Sequence, residues 1–243
     1  MKQEMPAFER RFSAVMSSPT LPMDEVLRYV REGKGKRLRP RLVFMTARLF
    51  GEVNESTWRT ALFVELLHTA TLVHDDVVDA SDERRGQPSV NARWDNKTAV
   101  LCGDHLLSKA MLVLSDPSDN NILVEMLNTA LAMSEGELMQ NRRQKTEDGR
   151  RKEEDGRQEY LSIIERKTAR LMKACCIGGA LSVGATMEQV AAVGEFGLNY
   201  GMLFQLRDDI ADGENVAMAK SLLPLYEEKT LGTLKTLHQM LLK

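Results

Sequence analysis

The chain has 243 residues and a net charge of −2. That length can bury a substantial core, and so balanced a charge gives no support for nucleic-acid binding. At 43% hydrophobic and 28% charged residues the composition is that of a globular protein, and 5% aromatics argue against a β-sandwich. Leu, Ala, Met, Glu, Lys and Arg dominate, and these favour helix.

The first chemically suggestive segment is Gly35-Lys36-Arg37-Leu38-Arg39-Pro40-Arg41, a compact cationic turn leading into a helix. Lys36 and Arg39 beside a helix N-terminus make a phosphate site. Apolar residues then recur at steps of three and four over 41–50 and 58–73, which predicts helices. The second of these ends in Asp75-Asp76-Val77-Val78-Asp79. On a helix Asp75 and Asp79 stand at i and i+4, and Asp76 and Asp79 at i and i+3, so the carboxylates share a face. Burying them is costly without a cation. Clustered oxygen donors without cysteine suit a hard ion such as Mg²⁺. His68 lies two helical turns before Asp75 on the same side.

A break over 82–89 carries Arg84-Arg85-Gly86, within reach of a diphosphate held by the aspartates. Further helices are predicted over 97–114, 121–140, 160–183 and 187–206. Breaks fall at 33–40, 51–55, 115–121 and around Gly184. Residues 141–159 contain no aliphatic or aromatic side chain and read as a solvated, mobile connection. Lys167-Thr168 offers a charge and a hydroxyl. The aspartate pattern returns as Asp208-Asp209-Ile210-Ala211-Asp212, with Gln205 three residues before it. One such cluster is readily an acidic helix end. Two can face each other across an all-α bundle and line a cavity for several Mg²⁺ ions and a diphosphate. Leu231, Leu234, Leu237 and Leu241 predict an amphipathic C-terminal helix.

Cys102, Cys175 and Cys176 are odd in number and lack metal-ligand spacing, so they read as buried thiols in a reducing compartment, and a cytoplasmic location is expected. The opening Met-Lys-Gln-Glu-Met-Pro has no apolar signal core, and no run approaches about 18 apolar residues, so no integral membrane protein is expected. No shift in composition marks a second domain, and residues 1–243 read as one.

GKRLRP (35–40), LVHDDVVD (72–79), RRGQPSVN (84–91), GD (103–104), GELMQ (136–140), KTA (167–169) and FQLRDDIAD (204–212) stand in an order and spacing that resemble the trans-isoprenyl diphosphate synthases. The run HTATLVHDDVVDASDERRG is most similar to long-chain members such as octaprenyl diphosphate synthases. The resemblance covers roughly 20–212. It implies an isoprenoid synthase helical bundle around a central cavity, working as a homodimer, that extends an allylic diphosphate with isopentenyl diphosphate. It implies that Asp75, Asp76, Asp79, Asp208, Asp209 and Asp212 bind Mg²⁺. Arg84, Lys167, Thr168 and Gln205 would hold the allylic diphosphate, and Lys36, Arg39, His68 and Arg85 isopentenyl diphosphate. Ala70 and Thr71, five and four residues before Asp75, match positions where a bulky aromatic stops chain growth in the family. Their small size implies a long product.

The resemblance weakens after Asp212. Gly213 is followed by Glu214 where the family carries Gly-Lys, whose lysine helps bind the allylic diphosphate. Lys220-Ser221-Leu222-Leu223-Pro224 is either a remnant of a later motif or the opening of a terminal helix. A shortened C-terminal region is expected, with a weakly active or non-catalytic subunit of a heteromeric synthase as the alternative. A class I terpene cyclase is disfavoured by the DDIAD form of the second motif.

Overall fold

The computed structural model describes residues 3–33, 35–145 and 153–242. The elements run α1 (Glu4–Val15), α2 (Leu21–Glu32), α3 (Leu38–Phe50), α4 (Glu55–Val78), β1 (Glu83–Arg84), β2 (Gln87–Pro88), α5 (Val90–Arg93), α6 (Asn96–Val113), α7 (Asn120–Lys145), α8 (Glu153–Ile164), α9 (Arg170–Ser182), α10 (Met187–Asp212) and α11 (Val216–Leu241). A π-helical turn, Glu165–Ala169, joins α8 to α9.

α4 is the centre of the bundle, packed against α3, α6 and α9. From Thr60 to Leu67 every one of its residues is buried, as expected of a helix that is apolar on all sides. Its start is fixed by a reciprocal cap. The Thr57 N–H donates to Asn54 Oδ1 at 3.1 Å, and the Asn54 N–H donates to Thr57 Oγ1 at 3.3 Å. α10 begins the same way with Thr186 and Gln189. Each of the two capped helices carries an aspartate cluster at its far end.

The main core gathers α1, α3, α4, α6, α9 and α10. Phe8, Phe12, Phe44 and Trp58 form an aromatic stack that fastens α1 to it, with Phe44 and Trp58 centroids 4.7 Å apart. Each fully buried phenylalanine contributes about 1.5–3 kcal/mol. A smaller cluster of Tyr160, Ile164, Ala169, Met202, Leu206, Ala219 and Leu222 binds α8, α10 and α11 together beneath the second aspartate motif.

The all-α expectation holds, with one two-residue hairpin pair added: Glu83 faces Pro88 and Arg84 faces Gln87. Several boundaries move. α3 starts at Leu38, so Pro40 lies in its first turn, where a missing N–H costs nothing. The helix expected over 160–183 is interrupted by the π-turn and begins at Glu153. The connection expected over 141–159 is helical up to Lys145 and again from Glu153; residues 146–152 lie outside the described residues. Lys220–Pro224 belongs to α11, the terminal-helix reading. Of the four leucines expected on its apolar face only Leu237 is buried. The three cysteines are buried free thiols. Among the described residues no single helix is long and apolar enough to cross a membrane; α6 and α7 pass that test only together, and they are bent by 98°.

Candidate active site

The first aspartate cluster occupies the last turn of α4 and its C-cap. Asp76 is 3% exposed, Asp75 is half-buried and Asp79 is open to solvent. The chain then turns through the hairpin, with Arg85 (φ 55°) and Gly86 (φ 77°) in left-handed conformation. This return carries Arg84 back onto the cluster. Its Nε donates to Asp76 Oδ1 at 2.8 Å, and its Nη2 makes a second contact with the same oxygen. Asp75 is pushed from 3.8 to about 6, chiefly by burial and then by the Glu137 carboxylate, with Asp79 adding and Lys167 and Arg84 opposing.

The basic turn lies beside this cluster. Arg37 (φ 50°) is held by Glu9 at 2.9 Å and by the buried Glu65 at 2.7 Å, and it stacks on Phe12. That clamp presents its neighbours. Lys36 is exposed, and the Arg39 Nε is buried with no hydrogen-bond partner among the described residues. Burial pulls the Arg39 guanidinium below its usual value. Arg85 reaches back to the Gly33 carbonyl at 3.4 Å. His68 is driven well below its ordinary range by burial and by the charges of Arg39, Arg85, Arg84 and Arg37. It is therefore a neutral imidazole inside a ring of cations, a hydrogen-bonding group rather than a charge.

Lys167 and Thr168 both fall in the π-turn, a geometry that re-aims side chains and concentrates at functional sites. Gly136 on α7 lets that helix approach so closely that a Cβ there would lie 2.8 Å from Arg166 Cβ. Lys167 Nζ consequently reaches Glu137 at 2.6 Å and Gln140 at 3.1 Å. On the other side Gly201 brings α10 within 2.5 Å of Ala169 Cα, measured from where a Cβ would stand. One turn further on, Gln205 accepts from Thr168 Oγ1 at 2.7 Å and donates to Asp209 Oδ1 at 2.6 Å. Tyr160 donates to Asp209 Oδ2 at 2.5 Å. Burial and the Asp209 carboxylate push the Tyr160 phenol up, so it stays a donor. Asp208 is raised by burial and by Asp212 and Asp209, while Lys36 and Arg39 oppose the shift.

The hydrogen bonds run in a line: Lys167 adjoins Thr168, Thr168 donates to Gln205, and Gln205 donates to Asp209. The Lys167 charge also acts on Asp75 in the other cluster. From the opposite side Arg39 influences both His68 on α4 and Asp208 on α10. A polyprenyl synthetase family model matches residues 21–221. The chain belongs to that family. It is 38% identical over 212 residues to an all-trans-nonaprenyl-diphosphate synthase (geranyl-diphosphate specific) of Rhodobacter capsulatus, covering 86% of this chain and 63% of the relative. It is 36% identical over 216 residues to a heptaprenyl diphosphate synthase component 2 of Geobacillus stearothermophilus, covering 87% and 64%. A polyprenyl synthase structure from Caulobacter crescentus, complexed with calcium and isoprenyl diphosphate, superposes with a TM-score of 0.80 at 34% identity, covering 87% of this chain and 62% of that one. The chain thus spans a little under two thirds of the length of these family members.

Within this polyprenyl synthetase fold, sequence reasoning missed the residues that hold the site residues: Glu137 and Gln140 on Lys167, Tyr160 on Asp209, and Glu65 on Arg37. Glu137 and Gln140 were visible in GELMQ as an i, i+3 pair. Among the described residues no three metal-ligating side chains already converge on one point. Asp76 is engaged by Arg84, and Asp209 by Gln205 and Tyr160. The donor set still fits a hard divalent ion: it is all oxygen, and burial, with neighbouring carboxylates adding to it, raises both Asp75 and Asp208. Ala70 is fully buried in the main core, and the Thr71 hydroxyl donates to the His68 carbonyl at 2.9 Å.

Proposed function

We propose that the chain catalyses condensation of an allylic diphosphate with isopentenyl diphosphate to build a long all-trans polyprenyl diphosphate. The observation that carries this reading is the hydrogen-bonded line from the Lys167–Thr168 turn through Gln205 to Asp209, with Arg84 on Asp76 of the other cluster and a group of arginines around His68. Asp75, Asp76 and Asp79 would hold Mg²⁺ on one side, and Asp208, Asp209 and Asp212 on the other. The chemistry that bound Mg²⁺ supplies is neutralisation of charge on the departing diphosphate.

Arg84, Lys167, Thr168 and Gln205 take the allylic diphosphate. Lys167 gives up Glu137 to reach it, and Arg84 gives up part of its hold on Asp76. Lys36, Arg39, His68 and Arg85 take the isopentenyl diphosphate. The buried Arg39 Nε, with no partner of its own among the described residues, supports an anion at that position. As the allylic C–O bond breaks, these cations stabilise the leaving group. The isopentenyl double bond attacks the allylic cation, a C–C bond forms, and the proton lost from the new chain goes to the released diphosphate.

The same reading includes a homodimer. α6 leaves Leu101 and Leu112 exposed, and α7 leaves Val124, Leu127, Leu131 and Leu138 exposed at steps of three, four and seven. Such a stripe is the pattern of an unfilled helix-packing face, and a second copy would cover it. The function is tested by incubating the purified protein with farnesyl diphosphate, labelled isopentenyl diphosphate and Mg²⁺, then chromatographing the products. Labelled chains longer than C20 support the reading; an unextended primer overturns it.

A further inference from the structure

The geometry points to Tyr160 as a positioning residue that orients the Asp209 carboxylate for cation binding, an inference that rests on the proposed function. Tyr160 is 1% exposed and packed in the small core under the second aspartate motif. Its only side-chain polar atom is directed to Asp209 Oδ2 at 2.5 Å. The other oxygen, Oδ1, is taken by Gln205 Nε2 at 2.6 Å. Both oxygens of one buried carboxylate are thus held by neutral donors from opposite sides, which fixes its plane.

A carboxylate has about four lone-pair directions, so two donors leave room for a cation. Neither donor carries a charge that would compete with one. Asp76 shows the contrast, since its partner is the Arg84 guanidinium. Tyr160 is itself braced. Arg143 lies over its ring at 5.6 Å from the centroid, and Thr168 fixes Gln205 at 2.7 Å. The result is one rigid line from the π-turn through α10 to α8. Outer partners of this kind set the orientation of ligating carboxylates, and losing one weakens cation affinity about 10–100-fold.

The test is calorimetric titration of Mg²⁺ into the full chain with inorganic diphosphate present, for wild type, Tyr160→Phe and Tyr226→Phe. Phenylalanine keeps the packing and removes only the hydroxyl. Tyr226 packs on the same small core and serves as the control. Tyr160→Phe should weaken Mg²⁺ uptake about tenfold, while metal-free isopentenyl diphosphate binding and the Tyr226→Phe titration stay as in wild type. A Tyr160→Phe affinity within about twofold of wild type, or equal losses in both variants, overturns the assignment. In an Asp209→Asn background Tyr160→Phe should have no further effect on Mg²⁺ uptake; additive losses count against it. A wild type that takes up no Mg²⁺ with diphosphate overturns the proposed function as well, whereas an insensitive Tyr160→Phe overturns this inference alone.

Discussion

Arg84 Nε donates to Asp76 Oδ1 at 2.8 Å, so the first arginine after the first aspartate cluster neutralises the cluster's most buried member. Removing one partner of a buried charge pair leaves the other uncompensated. Arg84→Ala should therefore lower stability by about 1–3 kcal/mol in the absence of divalent ions. Because Arg84 is also proposed to take the allylic diphosphate, turnover should fall by at least tenfold. Thermal melts with and without Mg²⁺, alongside rates, check both. An Arg84→Ala protein as stable as wild type without Mg²⁺ contradicts the pairing.

Asp75 has a folded pKa of about 6 against an ordinary 3.8. The folded state holds this proton more tightly than the unfolded one, so the ionised group costs stability. The cost is absent below about 3.8, grows between 3.8 and about 6, and is complete above that. Asp75→Asn should raise metal-free stability at pH 7 by about 1 kcal/mol after solvent screening, with the gain fading toward pH 4. Denaturant titrations across that range would show it, and a gain that grows toward acid pH is the wrong sign.

Ala70 is fully buried in the main core, five residues from Asp75 toward the middle of α4. A phenylalanine there adds volume to a packed site and should cost about 1–3 kcal/mol. If growing chains pass Ala70, Ala70→Phe should also shorten the product with a modest loss of rate. Chromatography decides: an unchanged product length places the floor elsewhere.

Leu131 is 63% exposed at the middle of the α7 stripe. Leu131→Lys puts a charge on the face proposed to meet a second copy, while a free surface would tolerate it. Light scattering at micromolar concentration should report a dimer for wild type and a monomer for the variant. A monomeric wild type removes the homodimer, and copurification with a second synthase-like chain would favour a heteromer.

The helical bundle was legible because α4, α6 and α10 repeat apolar residues at three and four. α1 and α2 were not expected. The aromatic pair Phe8 and Phe12 of α1 has meaning only once Phe44 and Trp58 stand opposite. The aspartates, Arg84, Lys167 and Gln205 stood out as candidates by residue type and spacing. The π-turn was not, since a one-residue change in hydrogen-bond register leaves no trace in apolar periodicity. Glu137, Tyr160 and Glu65 reach the site across helix interfaces, and the close approach at Gly136 brings Glu137 to Lys167. His68 was found, but its neutrality follows from burial and from four arginines that converge only in space.

In the proposed reaction the two aspartate clusters act together. Incorporation of labelled isopentenyl diphosphate into product should be measured for wild type, Asp75→Ala and Asp208→Ala, each with Mg²⁺ and with EDTA. Stabilisation of the leaving group supplies much of the barrier lowering, so either substitution should reduce the rate by about 10²–10³ or more, and EDTA should abolish it. Near-wild-type rates in both variants, or turnover that persists in EDTA, would contradict the account.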